Sequence, residues 1–194
     1  MKLFIDTETT GFPKFQEPLD HPEQPHLVQL AAILTDERGK EVSSMSVVIN
    51  NPGIEIPEGA SKVHGISTDF ASKNGVSPLS ALTLLYEMLL VSSSIAAHNI
   101  EFDIFIIKIA IARHIQSLPN ADTRDLDIMK KYCTMRSSMD LPGLPLNHAG
   151  RKKFPKLSEL YHYAFGEDFD NAHDAMADCR AMMRVYWWLK EKGL

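Results

Sequence analysis

The amino-acid sequence predicts an α/β sandwich built on a mixed β-sheet. Two patterns lead to this prediction. Three segments with the length and composition of strands come first, and a short turn that contains glycine separates the second from the third. After them, helical segments alternate with short apolar strands. Strands first, and then strands alternating with helices, are typical of a sheet that carries helices on its faces.

Length and composition fit this class and exclude several others. The chain has 194 residues, of which 44% are hydrophobic and 23% charged, so we expect one folded domain over residues 1–194. No apolar run approaches the ~20 residues of a membrane helix, and the start MKLFIDTETT does not resemble a secretory signal. Only two cysteines are present, so we expect a reducing, cytoplasmic location. The net charge of −5 argues against wrapping a duplex by bulk electrostatics.

The first three elements are predicted to be strands. Residues 2–6 (KLFID) form an apolar run that ends in a carboxylate, which is typical of a strand buried on both faces. Residues 12–25 contain prolines and polar side chains and are interpreted as a surface loop inserted after this strand. Residues 26–35 and 41–50 follow as strands, and the turn at 36–40 predicts that they form an antiparallel hairpin.

The middle of the chain is predicted to contain three helices and one strand. Residues 57–64 form a short helix, a loop extends to Ser77, and residues 78–90 form a helix with proline in its first turn. Residues 94–98 are a short apolar strand. Residues 101–115 carry apolar side chains on two helical faces, so we expect this helix to be central and buried on most sides.

The last third of the chain begins with a predicted short strand at 124–128 and a long loop at 137–155. Residues 156–165 form a helix that Gly166 closes. A final helix is predicted to begin at a cap formed by Asp170 or Asn171 and to end near Lys190. Its apolar positions are spaced four, three, four and three residues apart, which indicates one buried face: Ala175, Cys179, Met182, Tyr186 and Leu189.

Acidic side chains follow two of the predicted strands. Asp6 and Glu8 share one face at the end of the first strand, roughly 6–7 Å apart. Two carboxylates so placed repel each other unless a cation lies between them, although a solvated strand end is an equally good explanation. Asp103 lies in the first turn of the helix after residues 94–98, where it is either a site residue or a simple helix-start acid.

A third polar cluster precedes the final helix. His173 and Asp178 are five residues apart, which on an ideal helix separates them by about 140°. They could not serve one site from within a regular helix, so we expect His173 at or before the helix start. Asp174 is interpreted as an acid of the capping region, and the alternative for the whole cluster is a polar helix start.

Taken together, three motifs closely resemble those of the DEDDh exonucleases, the group that includes the proofreading epsilon subunit of bacterial DNA polymerase III and ribonuclease T. They are DTETTG at residues 6–11, HNIEFD at 98–103 and HDAMAD at 173–178. The related tyrosine-type group has tyrosine four residues before the last aspartate, where this chain has Asp174 preceded by His173. The resemblance spans nearly the whole chain and implies a ribonuclease H-like fold, with a mixed five-stranded sheet flanked by helices.

The resemblance implies stepwise hydrolysis of nucleic acid from the 3′ end with release of 5′-mononucleotides. It implies two divalent cations, and oxygen ligands favour Mg²⁺ or Mn²⁺ over zinc. Asp6, Glu8 and Asp178 would hold the ion that activates water, Asp6 would bridge to the second ion, and Asp103 would hold that ion mainly through water. His173 would accept the proton of the attacking water, a role that imidazole suits near neutral pH.

Further substrate contacts follow from the same resemblance. The turn that carries Thr7, Thr9 and Thr10 would bind the terminal nucleotide, and His64, in VHGI, would approach the 3′ end or act as a structural histidine beside a turn glycine. Phe102 would pack in the core or stack on a base, and Asn99 would order its turn. The basic residues Arg151, Lys152, Lys153 and Lys156 would contact the phosphate backbone or form solvated surface.

Two departures from the commonest family pattern affect substrate preference. They are the insertion at 12–25 and Gln29, where many relatives carry glutamate. The substrate is expected to be the 3′ end of a nucleic acid, with single-stranded DNA preferred to duplex DNA and to RNA. The chain lacks the C-terminal extension through which the proofreading subunit binds its polymerase, so we expect a stand-alone enzyme. The alternatives are an accessory or proofreading subunit of a polymerase or repair complex, or an exoribonuclease, and the oligomeric state stays open.

Overall fold

The computed structural model describes residues 1–114 and 123–194. Strands and helices follow one another in the order β1 (Lys2–Thr9), β2 (Leu27–Thr35), β3 (Glu41–Val48), α1 (Glu58–His64), α2 (Thr68–Asn74), α3 (Pro78–Leu90), β4 (Ser94–Ala97), α4 (Ile100–His114), α5 (Thr123–Ile128), β5 (Lys130–Cys133), α6 (Thr134–Ser138), α7 (Leu157–Phe165) and α8 (Ala175–Glu191). The end predicted for α4, Ile115, lies outside the described residues.

The strands form one mixed sheet in the order β3-β2-β1-β4-β5. β1 pairs antiparallel with β2, and β2 pairs antiparallel with β3, as the hairpin signal predicted. β1 and β4 pair in parallel, as do β4 and β5. The predicted five-stranded mixed sheet flanked by helices is therefore confirmed.

Alternate side chains of β1 pack into two different hydrophobic layers. Leu3 and Ile5 pack in a cluster with residues of α3 and α4, whereas Phe4 packs with Cys179 and Met182 of α8. Because alternate residues of a strand face opposite sides, Asp6 and Glu8 share the face of Phe4 and lie toward α8, and Thr7 lies toward α4. One strand therefore supplies polar side chains to both layers.

The helices that flank the sheet match their predicted burial. All five predicted apolar positions of α8 are buried, and the isoleucines of α4 at positions 104, 106, 107, 109 and 111 are buried as well. Gly166 closes α7 with a left-handed φ of 71°. Among the described helices, none is long and apolar enough to cross a membrane.

Four details of the predicted elements are wrong. Residues 124–128 belong to helix α5, and the edge strand β5 lies just after them, because pairing with β4 rather than apolar composition makes this strand. A loop was expected up to Ser77, but helix α2 forms there, with Ser67 accepting the N–H of Phe70 at 3.1 Å. Helix α6 overlaps the start of the predicted loop at 137–155.

The fourth correction concerns the start of α8. Neither Asp170 nor Asn171 caps this helix; Asp174 does, and its side chain accepts the N–H groups of Met176 and Ala177 at 3.1 Å each. Asn171 instead has a left-handed φ of 56°, as part of the turn before the helix.

The loop between β1 and β2 is held in place by its own polar groups. Gln24 is 2% exposed, and its amide bonds both the N–H and the carbonyl of Lys14 at 2.9 Å. The guanidinium of Arg113, on α4, donates to the carbonyls of Gln24 and Pro25 at 2.5 and 2.6 Å. These hydrogen bonds therefore hold the predicted surface insertion against α4.

Candidate active site

The three motifs meet where β1 ends and where α4 and α8 begin. Thr7, on β1, donates from Oγ1 to Oδ1 of Asp103, on α4, at 2.8 Å. Both side chains are buried, with 6% and 2% exposure. The first two motifs are thus joined by a buried hydrogen bond, and Asp103 is more than a solvated helix-start acid.

The third motif joins them through the turn before α8. His173 has a left-handed φ of 73°, and its N–H donates to Oδ2 of Asp178 at 3.1 Å. His173 therefore precedes the helix, as the five-residue spacing predicted. One ligand atom from each of Glu8, His173 and Asp178 lies within 4.8 Å of the other two, so these three could hold a metal ion together.

The four acids repel one another. Burial, and then the charges of Asp103, Asp178 and Glu8, raise the pKa of Asp6 well above its ordinary value. Burial and the charge of Asp178 raise the pKa of Glu8 to about 8.

Asp103 and Asp178 are affected in the same direction. Burial raises the pKa of Asp103 to about 7, although the hydrogen bond from Thr7 opposes the change. Burial also raises the pKa of Asp178, against the opposing hydrogen bond from His173. A bound cation would offset the burial and mutual repulsion of these carboxylates, and their oxygen donors suit a hard divalent ion. The residues present therefore fit the divalent metal that the resemblance implies.

A cavity of about 270 Å³ opens beside the acids. It is lined by the end of β1, the following turn, α1 and the start of α4: Thr7, Glu8, Thr9, Thr10, Gly11, Phe12, Gly59, Ala60, Val63, His64 and Phe102. The threonines stabilise this wall through their hydroxyls. Thr9 Oγ1 donates to the carbonyl of Gly11 at 2.6 Å, and Thr10 Oγ1 accepts the N–H of His26 at 2.9 Å.

His64 has the structural role that the sequence left open, and its contact with the 3′ end stays a prediction. Its Nδ1 accepts the N–H of Ile66 at 3.1 Å, next to the left-handed Gly65, which is the structural role. Its Nε2 is buried, lies near the carbonyl of Thr9 and makes no hydrogen bond of normal geometry. Burial lowers the pKa of His64, so the ring is neutral and, with Nδ1 accepting, carries its proton on Nε2. His64 lines the cavity, and its Nε2–H makes no well-formed hydrogen bond within the protein.

Two phenylalanines form the outer wall of the cavity. Phe12 is 89% exposed and lies edge-on to Phe102, with ring centroids 6.2 Å apart. Phe102 also packs against the core under α4, so both of its predicted roles are compatible with its position. Phe12, Val63 and the small residues of α1 were missed by sequence reasoning. For Phe12 a signal existed, since this apolar residue directly follows the first motif and opens the insertion.

Of the other predicted contact residues, Asn99 has a structural role, and two members of the basic run form ion pairs. Asn99 has a left-handed φ of 72° and accepts the N–H of Phe102 on its carbonyl, so it orders the turn before α4 as expected. Of the basic run, Lys152 pairs with Asp140 and Lys153 with Glu159, both at 2.5 Å.

Comparisons with known proteins give one family model and several solved structures. The family model RNase_T, described as "Exonuclease", matches residues 3–186. No curated protein matches the sequence. Exonuclease I of E. coli in complex with a dT13 oligonucleotide is 24% identical and superposes with a TM-score of 0.77 over 97% of this chain and 40% of that one. Exonuclease I of Methylocaldum szegediense is 20% identical, with a TM-score of 0.76 over 98% of this chain and 40% of that one.

The zinc-bound form of E. coli exonuclease I with single-stranded DNA is 22% identical, with a TM-score of 0.77 over 98% of this chain and 40% of that one. At these identities the matches establish the fold, and they confirm the expected ribonuclease H-like architecture. The chain thus spans about 40% of the length of the exonuclease I chains that it resembles.

Proposed function

The chain belongs to the RNase_T family of exonucleases, the DEDDh group, and we propose that it hydrolyses single-stranded nucleic acid from the 3′ end, with DNA preferred to RNA, and releases 5′-mononucleotides. The observation that carries the proposal is the convergence of four carboxylates and one histidine beside a cavity with an aromatic wall. The family match supports a nuclease, the clustered carboxylates support the proposed metal dependence, and the aromatic cavity wall supports a single-stranded substrate, whereas the proposed direction rests on the family resemblance.

Asp6, Glu8, Asp103 and Asp178 would hold two divalent cations, Mg²⁺ or Mn²⁺. Bound there, the cations would neutralise the four carboxylates and stabilise the charge that develops on the scissile phosphate. Thr7 lies on the face of β1 opposite to Asp6 and Glu8. Its hydroxyl bonds the carboxylate of Asp103 and so limits the rotation of that carboxylate. Raised pKa values of the acids in the absence of metal imply that metal binding releases protons at neutral pH.

His173 is the proposed general base. It is exposed, precedes the first turn of α8, and is held by its own N–H bond to Asp178. A ring nitrogen lies in the same cluster as a carboxylate oxygen of Glu8, where a water attacking the phosphate would pass its proton. The left-handed backbone keeps the ring outside the helix and accessible to solvent.

The cavity would hold the terminal nucleotide. Phe12 and Phe102 offer aromatic surface to an unpaired base, a contact that every base can make. The Nε2–H of His64 would donate to an oxygen of the terminal sugar, which would satisfy a group that is otherwise buried without a partner. An exposed phenylalanine at the mouth favours a single strand, since a paired base cannot stack there.

The experiment is digestion of a 5′-labelled single-stranded DNA, with the matched duplex and RNA alongside, in Mg²⁺, in Mn²⁺ and in chelator. A ladder of products that shorten by single nucleotides, present with metal and absent with chelator, supports the proposal. Release of the label as a mononucleotide in the first products, or internal cuts, contradicts it. Asp6→Asn should abolish turnover, and Asp168→Asn, the same change at an exposed side chain, should not.

Faster digestion of RNA than of DNA would support the exoribonuclease alternative. Cytoplasmic location, and association with a polymerase or repair complex, stay predictions from the sequence.

A further inference from the structure

One buried side chain outside the three motifs connects the sheet to the segment that carries His173. Gln29 lies in β2, is 5% exposed and is the register partner of Glu8. Its Oε1 accepts the N–H of Ala175 at 3.1 Å, and its Nε2 donates to Oδ2 of Asp174 at 3.0 Å. The same Nε2 lies 3.3 Å from the hydroxyl of Ser46.

These partners fix the orientation of the Gln29 amide. A backbone N–H can only donate, so the amide oxygen must face Ala175, and the amide nitrogen then faces the Asp174 carboxylate, which accepts. The other carboxylate oxygen of Asp174 accepts the N–H groups of Met176 and Ala177. A continuous set of hydrogen bonds therefore runs from β2 through Gln29 and Asp174 into the first turn of α8.

This set of bonds ends beside the reacting groups. His173 directly precedes Asp174, and its left-handed backbone persists only if the surrounding structure holds it. Its N–H bond to Asp178 closes the turn. We propose that Gln29 is a positioning residue that sets His173 and Asp178 against Glu8, an inference that rests on the proposed function of those three side chains.

A reciprocal exchange of donor and acceptor tests the proposal. Gln29→Glu places a carboxylate against the Asp174 carboxylate, and Asp174→Asn places an amide nitrogen against that of Gln29, so each single variant loses the bond. In the double variant the new amide at position 174 donates to the new carboxylate at position 29. That carboxylate still accepts from Ala175, and the amide oxygen at 174 still accepts from Met176. The pattern is restored with one bond reversed and with the net charge unchanged.

We expect kcat on single-stranded DNA to fall about 10- to 100-fold in each single variant, because small displacements of reacting groups have effects of this size. KM should change less than about threefold, and kcat of the double variant should return to within about threefold of the wild type. Asp168→Asn serves as the control for the loss of one charge. Wild-type kcat in both single variants, or a double variant as impaired as the worse single one, would overturn the proposal.

Amide hydrogen exchange at residues 173–178 gives a readout that does not depend on activity. Exchange should accelerate in both single variants and return to the wild-type rate in the double variant. If the wild-type protein degrades no oligonucleotide, the proposed function fails, and exchange still decides whether Gln29 holds this segment. Unchanged exchange in the single variants would overturn the positioning role, and recovery in the double variant would support it.

Discussion

Replacing Asp103 by asparagine tests the electrostatics of the site without any measurement of activity. The side chain is 2% exposed and accepts the Thr7 hydroxyl at 2.8 Å. The amide of Asp103→Asn has nearly the same shape, and its oxygen can accept the same bond. The substitution therefore removes a buried charge, and with it the repulsion that this charge exerts on Asp6 and Glu8, while it keeps the shape of the side chain.

The magnitude follows from the pKa of Asp103, which burial raises from 3.8 to about 7. Between these values the folded protein keeps a proton that the unfolded chain has released, so the wild-type free energy of unfolding falls as pH rises. The loss from this group is about 1.4 kcal/mol per pH unit and about 4 kcal/mol in total. The variant lacks this titration. Its advantage in metal-free buffer should be small near pH 4 and reach about 4 kcal/mol above pH 7.

Urea unfolding followed by the fluorescence of Trp187 and Trp188, in chelator and from about pH 4.5 to about 8.5, measures this advantage. Asp168→Asn, at a side chain that is 85% exposed, is the control and should show no comparable pH-dependent gain. Added Mn²⁺ at high pH should stabilise the wild type more than Asp103→Asn. An advantage of equal size at both ends of the pH range would refute the reasoning.

Three other substitutions test separate parts of the molecule. His173→Ala should lower kcat by about 10²- to 10⁴-fold while Mn²⁺ binding measured by calorimetry persists, and undiminished kcat would exclude the proton-transfer role. Phe12→Ala should raise KM for single-stranded DNA about 10-fold, whereas Phe70→Ala, at an exposed phenylalanine outside the cavity, should not. Ile107→Ala, at a fully buried position, should lower the free energy of unfolding by about 2–5 kcal/mol, and a loss below about 1 kcal/mol would contradict its packing.

The sequence was most informative where the signal is local and strong. The buried first strand, the hairpin and the central helix α4 were predictable because long apolar runs and their periods dominate these segments. The convergence of the first two motifs was predictable because each follows a strand, and the parallel strands β1 and β4 end at the same edge of the sheet. The third motif was placed with them by the family resemblance alone. The position of His173 outside the helix followed from a five-residue spacing that no regular helix can accommodate at one site.

The features that could not be predicted from the sequence depend on tertiary contacts. β5 has the composition KKYC and is a strand only because it pairs with β4. Asp174 was placed in the capping region by the sequence, but the choice of Asp174 over Asp170 or Asn171 as the cap depends on a turn in which Asn171 and His173 take left-handed backbone conformations. Gln29 was noticed only as a departure from relatives, since its contact with Asp174 joins residues that are 145 positions apart.

The division of β1 between two helical layers has a consequence for biosynthesis. Thr7 meets Asp103 on one side of the strand, while Asp6 and Glu8 face α8, which follows every other described element in the chain. A nascent polypeptide therefore lacks Asp178 and His173 until α8 has emerged from the ribosome and docked. The hydrolytic centre we propose would therefore stay inert in any partly synthesised chain in which α8 has not yet docked.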